Sequence, residues 1–240
     1  NAIRIAEARL TWSHRTVVFR TTRLSLVRSG WWDSTPPDII EREIGPYFDA
    51  LSDASFSSSV IIDAGCAAGL FALAWARRHP DSFIHAFEPS TRQRVLLRRN
   101  SRRNHVARQM AIHPLALWNQ SARLTFRTHG DLSSIQATGQ IPGTYAFTES
   151  VSAVCLDQWA SSQNLTRLDL IKMDIEGAER EALEGAAQTL LRFRPRLLVQ
   201  AYHLRENART LERCKAWLEA RRYRCNEWRN SGLLYAEPLN

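Results

Sequence analysis

Lysine is nearly missing from this chain. Of 32 basic residues only Lys172 and Lys215 are lysines, so the net charge of +8 is carried by arginine scattered over all 240 positions. The densest groups, Arg98-Arg99 with Arg102-Arg103 and Arg192-Arg194-Arg196, fall at helix ends or opposite apolar faces. They read as solvated surface rather than as a nucleic-acid groove. Cysteine is equally sparse: Cys66, Cys155, Cys214 and Cys225 are too dispersed for a disulfide framework and are expected as buried thiols. Neither C-x-x-C nor H-E-x-x-H occurs, so no local metal clip is visible. Long apolar runs are absent too, each being broken by Asp, Arg or Pro within about a dozen residues, which excludes a membrane span. With no basic-then-apolar leader at the N-terminus, the expected compartment is the cytoplasm.

A missing glycine says more. The apolar strand Val60-Ile61-Ile62-Asp63-Ala64 runs into Gly65-Cys66-Ala67-Ala68-Gly69 and then into the helical pattern Leu70 to Ala76. A dinucleotide-binding turn reads G-x-G-x-x-G, and its middle glycine admits a pyrophosphate against the backbone. Here the spacing is G-x-x-x-G, with Cys66 and Ala67 filling that approach. A second strand, Phe83 to Phe87, ends at Glu88, where a doubly wound fold places the acid that accepts from both ribose hydroxyls. An adenosine without a pyrophosphate satisfies both features, and S-adenosylmethionine is such a ligand.

Patterning predicts a β-hairpin over 15–27, a turn-rich link over 31–37, and a helix over 38–51 that Gly45-Pro46 should kink or split. From there strands and helices alternate: strand 60–64, helix 69–79, strand 83–88, helix 90–104, and a strand over 110–117. A loop over 128–150 follows, then strand 151–156, helix 157–163 and strand 168–173. One long helix is expected over 176–193, then strand 197–199, a last helix over 206–222 and a terminal hairpin around Asn230-Ser231-Gly232. Such alternation implies an α/β doubly wound parallel sheet with helices on both faces. We divide the chain into an N-terminal extension, 1–55, on the cap or substrate side, and a nucleotide-binding domain, 56–240.

Three segments resemble the FkbM-type class I methyltransferases. They are Asp63 through Phe71, Ala86-Phe87-Glu88-Pro89-Ser90 and, most narrowly, Asp169-Leu170-Ile171-Lys172-Met173-Asp174-Ile175-Glu176-Gly177-Ala178-Glu179. The likeness runs in order from about Val60 to His203. It implies a Rossmann-like fold and methylation of hydroxyl oxygens on sugars, polyketides or other small metabolites with S-adenosylmethionine. Two positions depart from the family: Ala67 stands where Asn is usual. After the strand at 197–199, where an acid and then a histidine two residues on are common, this chain has Gln200 and Tyr202, with His203 displaced by one. By strand alternation His203 is expected to point away from the site.

The expected cofactor contacts are Asp63, Ala64, Gly65, Cys66, Gly69, Glu88, Pro89, Ser90, Ala116, Leu117, Trp118 and Asp174, with Asp63 near the methionyl amine and Trp118 stacking on adenine. Methyl transfer is an in-line displacement, so the acceptor oxygen must be oriented and its proton removed. Asp174, at the end of its strand, is the expected base or acceptor clamp, with Glu176 beside it, Lys172 on the same strand face and His203 as a further candidate. Ser133 and Ser134 resemble a family serine pair near the acceptor. A divalent metal at Asp174 is possible in principle, but the sequence shows no second or third ligand, and none is assigned. The alternatives are a nucleotide-binding module of the same fold that has lost its chemistry, and a nucleotide-cofactor oxidoreductase. The latter is disfavoured by the missing glycine and the lack of a Tyr-x-x-x-Lys pair. A nucleic-acid methylase would show Asp/Asn-Pro-Pro-aromatic where this chain has Asp174-Ile175-Glu176-Gly177. The expected partner is a small-molecule or saccharide acceptor, not nucleic acid or membrane.

Overall fold

The computed structural model describes residues 12–20, 22–29, 38–129, 132–135, 147–205 and 208–239. Strands β1 (Trp12–Phe19) and β2 (Thr22–Ser29) form the expected hairpin, which is longer than the pattern suggested. Helix α1 (Asp38–Ala50) continues unbroken through Pro46, so the expected split does not occur. The alternating part begins with β3 (Val60–Ala64), α2 (Leu70–Arg78), β4 (Phe83–Phe87), α3 (Thr91–Arg103) and β5 (Met110–His113). Next come β6 (Leu115–Trp118), β7 (Ala122–His129), β8 (Leu132–Ile135), β9 (Phe147–Cys155) and α4 (Leu156–Ser162). The chain continues through β10 (Leu170–Met173), α5 (Glu179–Glu184), α6 (Ala187–Phe193) and β11 (Arg196–Gln200). Two short strands, β12 (Leu204–Arg205) and β13 (Ala208–Arg209), precede α7 (Thr210–Glu219), β14 (Tyr223–Trp228) and β15 (Leu233–Pro238).

The main sheet has seven strands in the order β14-β15-β11-β10-β3-β4-β5. From β5 to β11 all neighbours are parallel, and β15 inserts antiparallel between β11 and β14. The chain winds outward from β3 through β4 to β5, then returns to β10 on the other side. The switch point therefore lies at the carboxyl ends of β3 and β10, where open α/β sheets bind ligands. Alternation along each strand feeds two cores. Ile61, Leu170 and Leu198 face one, with Phe71, Leu73 and Trp75 of α2. Ile62, Ile171, Leu197 and Val199 face the other, with Trp159, Leu183, Leu190 and Trp217 of the later helices.

The N-terminal extension shares the first core. Phe19 and Phe48 lie 5.1 Å apart between ring centroids, and Phe48 continues to Phe71 at 5.5 Å. The Asn104 amide accepts from Ser25 N–H and donates to Ser25 C=O, both at 2.8 Å, which fixes the hairpin to the end of α3.

Four further expectations fail, three of them for identifiable reasons. The strand over 110–117 is two strands in different sheets, because Pro114 has no N–H with which to continue the ladder. β6 pairs instead with β9, opening a four-stranded sheet of order β6-β9-β7-β8. The described parts of the expected loop over 128–150 thus belong to that sheet, while 130–131 and 136–146 lie outside the described residues. The helix over 176–193 begins only at Glu179 and breaks at Gly185-Ala186. A Cβ on Gly185 would sit 2.2 Å from the Trp118 carbonyl, so the chain passes here only as glycine. The Gly185 carbonyl accepts from Asp157 N–H at 2.9 Å rather than continuing a helix. The last helix starts at Thr210 instead of 206, after β13.

Asp157 then caps the second half, its carboxylate accepting from Gln188 N–H at 3.0 Å and Thr189 N–H at 2.7 Å. Loss of a capping side chain costs about 0.5–2 kcal/mol. Asp157→Ala should lower the unfolding free energy by about 1 kcal/mol in a urea titration, with Asp157→Asn retaining most of it. A midpoint equal to that of the unsubstituted chain would remove the cap from the account.

Candidate active site

At the carboxyl end of β3 the chain turns through Gly65 (φ 71), Ala67 (φ 46) and Gly69 (φ 95). A Cβ on Gly65 would stand 1.9 Å from the Asp174 carbonyl oxygen, so the turn can lie against the end of β10 only as glycine. Beneath it Asp63 is fully buried, with Lys172 Nζ 3.1 Å from its Oδ1 and donating to Gly65 C=O at 3.1 Å. Burial pulls the Lys172 ammonium toward neutrality, but Asp63 and Asp174 outweigh it and hold the pKa above the ordinary lysine value.

Glu88 is 4% exposed, and each of its oxygens accepts one backbone N–H, from Ala67 and from Ser90, both at 2.8 Å. Burial pushes its pKa up to about 7 against those two bonds. Each oxygen keeps lone-pair capacity for a further donor.

Two cavities meet over this turn. One of about 470 Å³ is walled by Arg42, Glu43, Ile44, Pro46 and Tyr47 of α1, by Gly65 to Ala68, and by Lys172, Asp174, Gln200, Tyr202 and Ser231. The other, about 130 Å³, is lined by Ala64, Phe87, Glu88, Pro89, Leu115, Ala116, Leu117, Phe126, Ile175 and Glu176. Gly65, Ala67, Gln93 and Asp174 line both.

Asp174 therefore stands at the junction. Its backbone N–H bonds Ala64 C=O at 3.1 Å, extending the β3–β10 ladder, and its Oδ2 accepts from Tyr47 Oη–H at 3.1 Å. Its Oδ1 is shielded from solvent without a hydrogen-bond partner among the described residues. The phenol of Tyr47 is held well above its usual pKa, first by burial and then by Asp174. After Asp174 the backbone turns at Glu176 (φ 57) and Gly177 (φ 95). Glu179, whose side chain is wholly buried, braces this turn by accepting from Ile175 N–H and Gly177 N–H, both at 3.1 Å. Burial raises its pKa to about 7.

His203 corrects the sequence expectation. Its Nε2 lies 2.9 Å from Glu176 Oε2, and its Nδ1 3.7 Å from Glu179 Oε1. Strand alternation does not apply to it, because β11 ends at Gln200 and residues 201–203 are irregular. Burial lowers the imidazole pKa, but Glu176, Glu179 and Asp174 together carry it above the ordinary value.

Other expected contacts fall differently. Asp63 lines neither cavity, its carboxylate being paired with Lys172 below the turn. Ser90 and Gly69 are buried and outside both linings, although Ser90 positions Glu88 through its N–H. Trp118 packs against the cluster of Ala116, Phe126, Val151, Ala153 and Ala178 and lines neither cavity, leaving Ala116 and Leu117 on the wall. Ser133 and Ser134 sit on β8 rather than in a loop, opposite Thr128 and Arg127. Tyr47, Gln93 and Glu179 were not singled out in the sequence. Tyr47 falls at helical spacing with Ile44, Phe48 and Leu51, and a tyrosine among core positions, with a hydroxyl to satisfy, is the available signal.

The Methyltransferase FkbM domain matches this chain over residues 63–225. The chain belongs to the FkbM methyltransferase family. This family member is 28% identical over 149 residues to the 2-O-methyltransferase NoeI of Sinorhizobium fredii (strain NBRC 101917 / NGR234), covering 56% of this chain and 60% of that protein. It is 28% identical over 145 residues to Methyltransferase 1 of Beauveria bassiana (strain ARSEF 2860), covering 53% and 58%. The chain thus matches about three fifths of the length of these relatives. The fold is shared with the solved methyltransferase FkbM of Methylobacillus flagellatus KT, with TM-score 0.56 and 18% identity over 75% of this chain and 44% of that one. It is also shared with a chain of the fibrillarin/Nop5p complex, with TM-score 0.51 and 13% identity over 90% and 94%. Among the described residues no helix is long and apolar enough to cross a membrane.

Proposed function

We propose that this FkbM methyltransferase moves a methyl group from S-adenosylmethionine to a hydroxyl oxygen of a small metabolite or saccharide. One observation carries the reading: Asp174, with a buried oxygen unpartnered among the described residues, lies where a cavity ending at Glu88 joins a larger one. The donor fits the smaller cavity in kind. Glu88 offers two acceptors to a diol, Ala116 and Leu117 offer an apolar wall to a base, and Gly65 permits close backbone approach. When bound, S-adenosylmethionine supplies an electrophilic methyl on a positively charged sulfur. The α1 residues and Tyr202 wall the acceptor side. Asp174 Oδ1 accepts the acceptor's O–H proton as an oxygen lone pair forms the new C–O bond and the C–S electrons leave with sulfur. Tyr47 holds the Asp174 carboxylate in orientation. The name of the rhizobial relative, a 2-O-methyltransferase, supports oxygen as the acceptor atom.

Mass spectrometry on a panel of hydroxylated acceptors, sugars included, should show products gaining one methylene. Transfer to amines but not to hydroxyls would overturn the reading. Donor binding is a separate prediction. Diol binding favours ionised Glu88, whose pKa in the free protein is about 7, so binding must expel a proton at lower pH. Affinity should therefore be full above pH 7 and fall by up to about tenfold per pH unit below it. Calorimetry on Glu88→Ala should show a loss of about 1.5–3 kcal/mol, and Glu88→Gln should flatten the pH profile. Unchanged affinity would remove Glu88 from the site, and preference for a nicotinamide cofactor would remove the methyl donor.

A further inference from the structure

We propose that Asp174, Glu176 and His203 form a binding site for one divalent cation on the wall between the two cavities. The inference rests on the methyl-transfer reading for its use in catalysis, where an ion on Asp174 Oδ1 would take the place of direct proton acceptance by that oxygen, while the site itself follows from geometry. The sequence showed no companion ligands for Asp174; the fold supplies two. One donor atom from each of the three residues lies within 4.8 Å of the others. An ion with six ligands at about 2.1 Å keeps neighbouring donors about 3 Å apart and opposite donors about 4.2 Å apart. Glu176 Oε2 and His203 Nε2, at 2.9 Å, already have the neighbouring spacing.

Two further observations favour a cation on this wall. Asp174 Oδ1 is buried and unpartnered among the described residues. Behind the cluster Glu179, with a side chain 0% exposed, puts Oε1 3.7 Å from His203 Nδ1, while its Oε2 has no hydrogen-bond partner among the described residues. A ligating histidine characteristically turns its second nitrogen toward a carboxylate, which keeps the proton there and frees the other nitrogen for the ion. Glu179 also holds the 175–177 turn and so positions Glu176, while the His203 Nδ1 that faces it is buried without a hydrogen-bond partner among the described residues. The cluster sets three carboxylates against one imidazole, and the nearby Lys172 ammonium is engaged by Asp63.

Two carboxylates and one imidazole suit Mn²⁺ or a similar first-row ion better than Mg²⁺. Three protein donors leave about three of six positions open, enough for two adjacent acceptor oxygens such as those of a vicinal diol.

The test is a titration of Mn²⁺ into the protein without donor or acceptor, followed by electron paramagnetic resonance of the free ion. One ion should bind per chain, Mg²⁺ should compete weakly, and His203→Gln and Glu176→Gln should each weaken binding at least tenfold. Circular dichroism checks the fold of both variants. Should His203→Gln fail to fold, Glu176→Gln, with a part-exposed side chain, decides alone. No bound ion, or equal binding by the folded variants, overturns the site. Methyl transfer is assayed separately: turnover in chelator without Mn²⁺ binding overturns the cation site and leaves the methyltransferase standing. Mn²⁺ binding with no methylated hydroxyl product does the reverse.

Discussion

Asp174→Asn is expected to lower the single-turnover rate constant for methyl transfer by about two to four powers of ten, the usual worth of a positioned base. Asparagine keeps the volume of the side chain and an oxygen for the Tyr47 hydroxyl, so the cavity junction should keep its shape. What disappears is the negative charge. The acceptor proton then has no base at the junction, and a cation would lose one of three ligands. Donor affinity should stay nearly intact, because the proposed donor contact, Glu88, follows β4 rather than β10. A large fall in rate at constant affinity separates a role in chemistry from one in binding. Glu176→Gln should cost less, since Glu176 lines only the smaller cavity and leans on His203. Near-normal turnover by Asp174→Asn would overturn the assignment and move the base to His203.

Gly65→Ala should destabilise the fold by at least about 2 kcal/mol, lowering the thermal midpoint by roughly 4–8 °C or more for a chain of this size. Two terms add. An alanine at φ 71 pays the left-handed penalty of about 1–2 kcal/mol, and its Cβ would meet the Asp174 carbonyl at 1.9 Å. That carbonyl is backbone at the end of a central strand, so relief requires moving β3 from β10 where Asp174 N–H bonds Ala64 C=O. The movement would also displace the wall common to both cavities, so donor binding should weaken in parallel. Ala67→Gly is the matched control: Ala67 is exposed at φ 46, so removing its Cβ relieves strain and should leave the midpoint unchanged or higher. A Gly65→Ala midpoint equal to that of the parent chain would show that the turn does not lie against Asp174.

Elements with a strong local period were legible from residue order. Val60 to Ala64 and Leu170 to Met173 are apolar runs ended by acids or small residues, and they stand in the sheet where that pattern places them. The hairpin around Asn230-Ser231-Gly232 was legible for the same reason. Residues whose fate depends on a distant neighbour were not. Gly185 breaks a helix because Trp118, far away in sequence, brings its carbonyl against it, and local propensity carries no trace of that contact. Pro114 was visible, but its consequence, a transfer of the chain to a second sheet, depends on β9 being there to receive β6.

The site divides along the same line. Sequence by itself determined the family, the glycine turn, the acid after the second strand of the alternating part and the acid after β10, because each is a short segment whose backbone conformation and chemistry are set by adjacent residues. Tertiary structure alone decided their partners. It turned Asp63 inward to Lys172, brought Tyr47 from the extension onto Asp174, and folded His203 back onto Glu176 and Glu179. These pairings join residues up to 127 positions apart, and what joins them is the packing of helices and strand ends around a buried sheet.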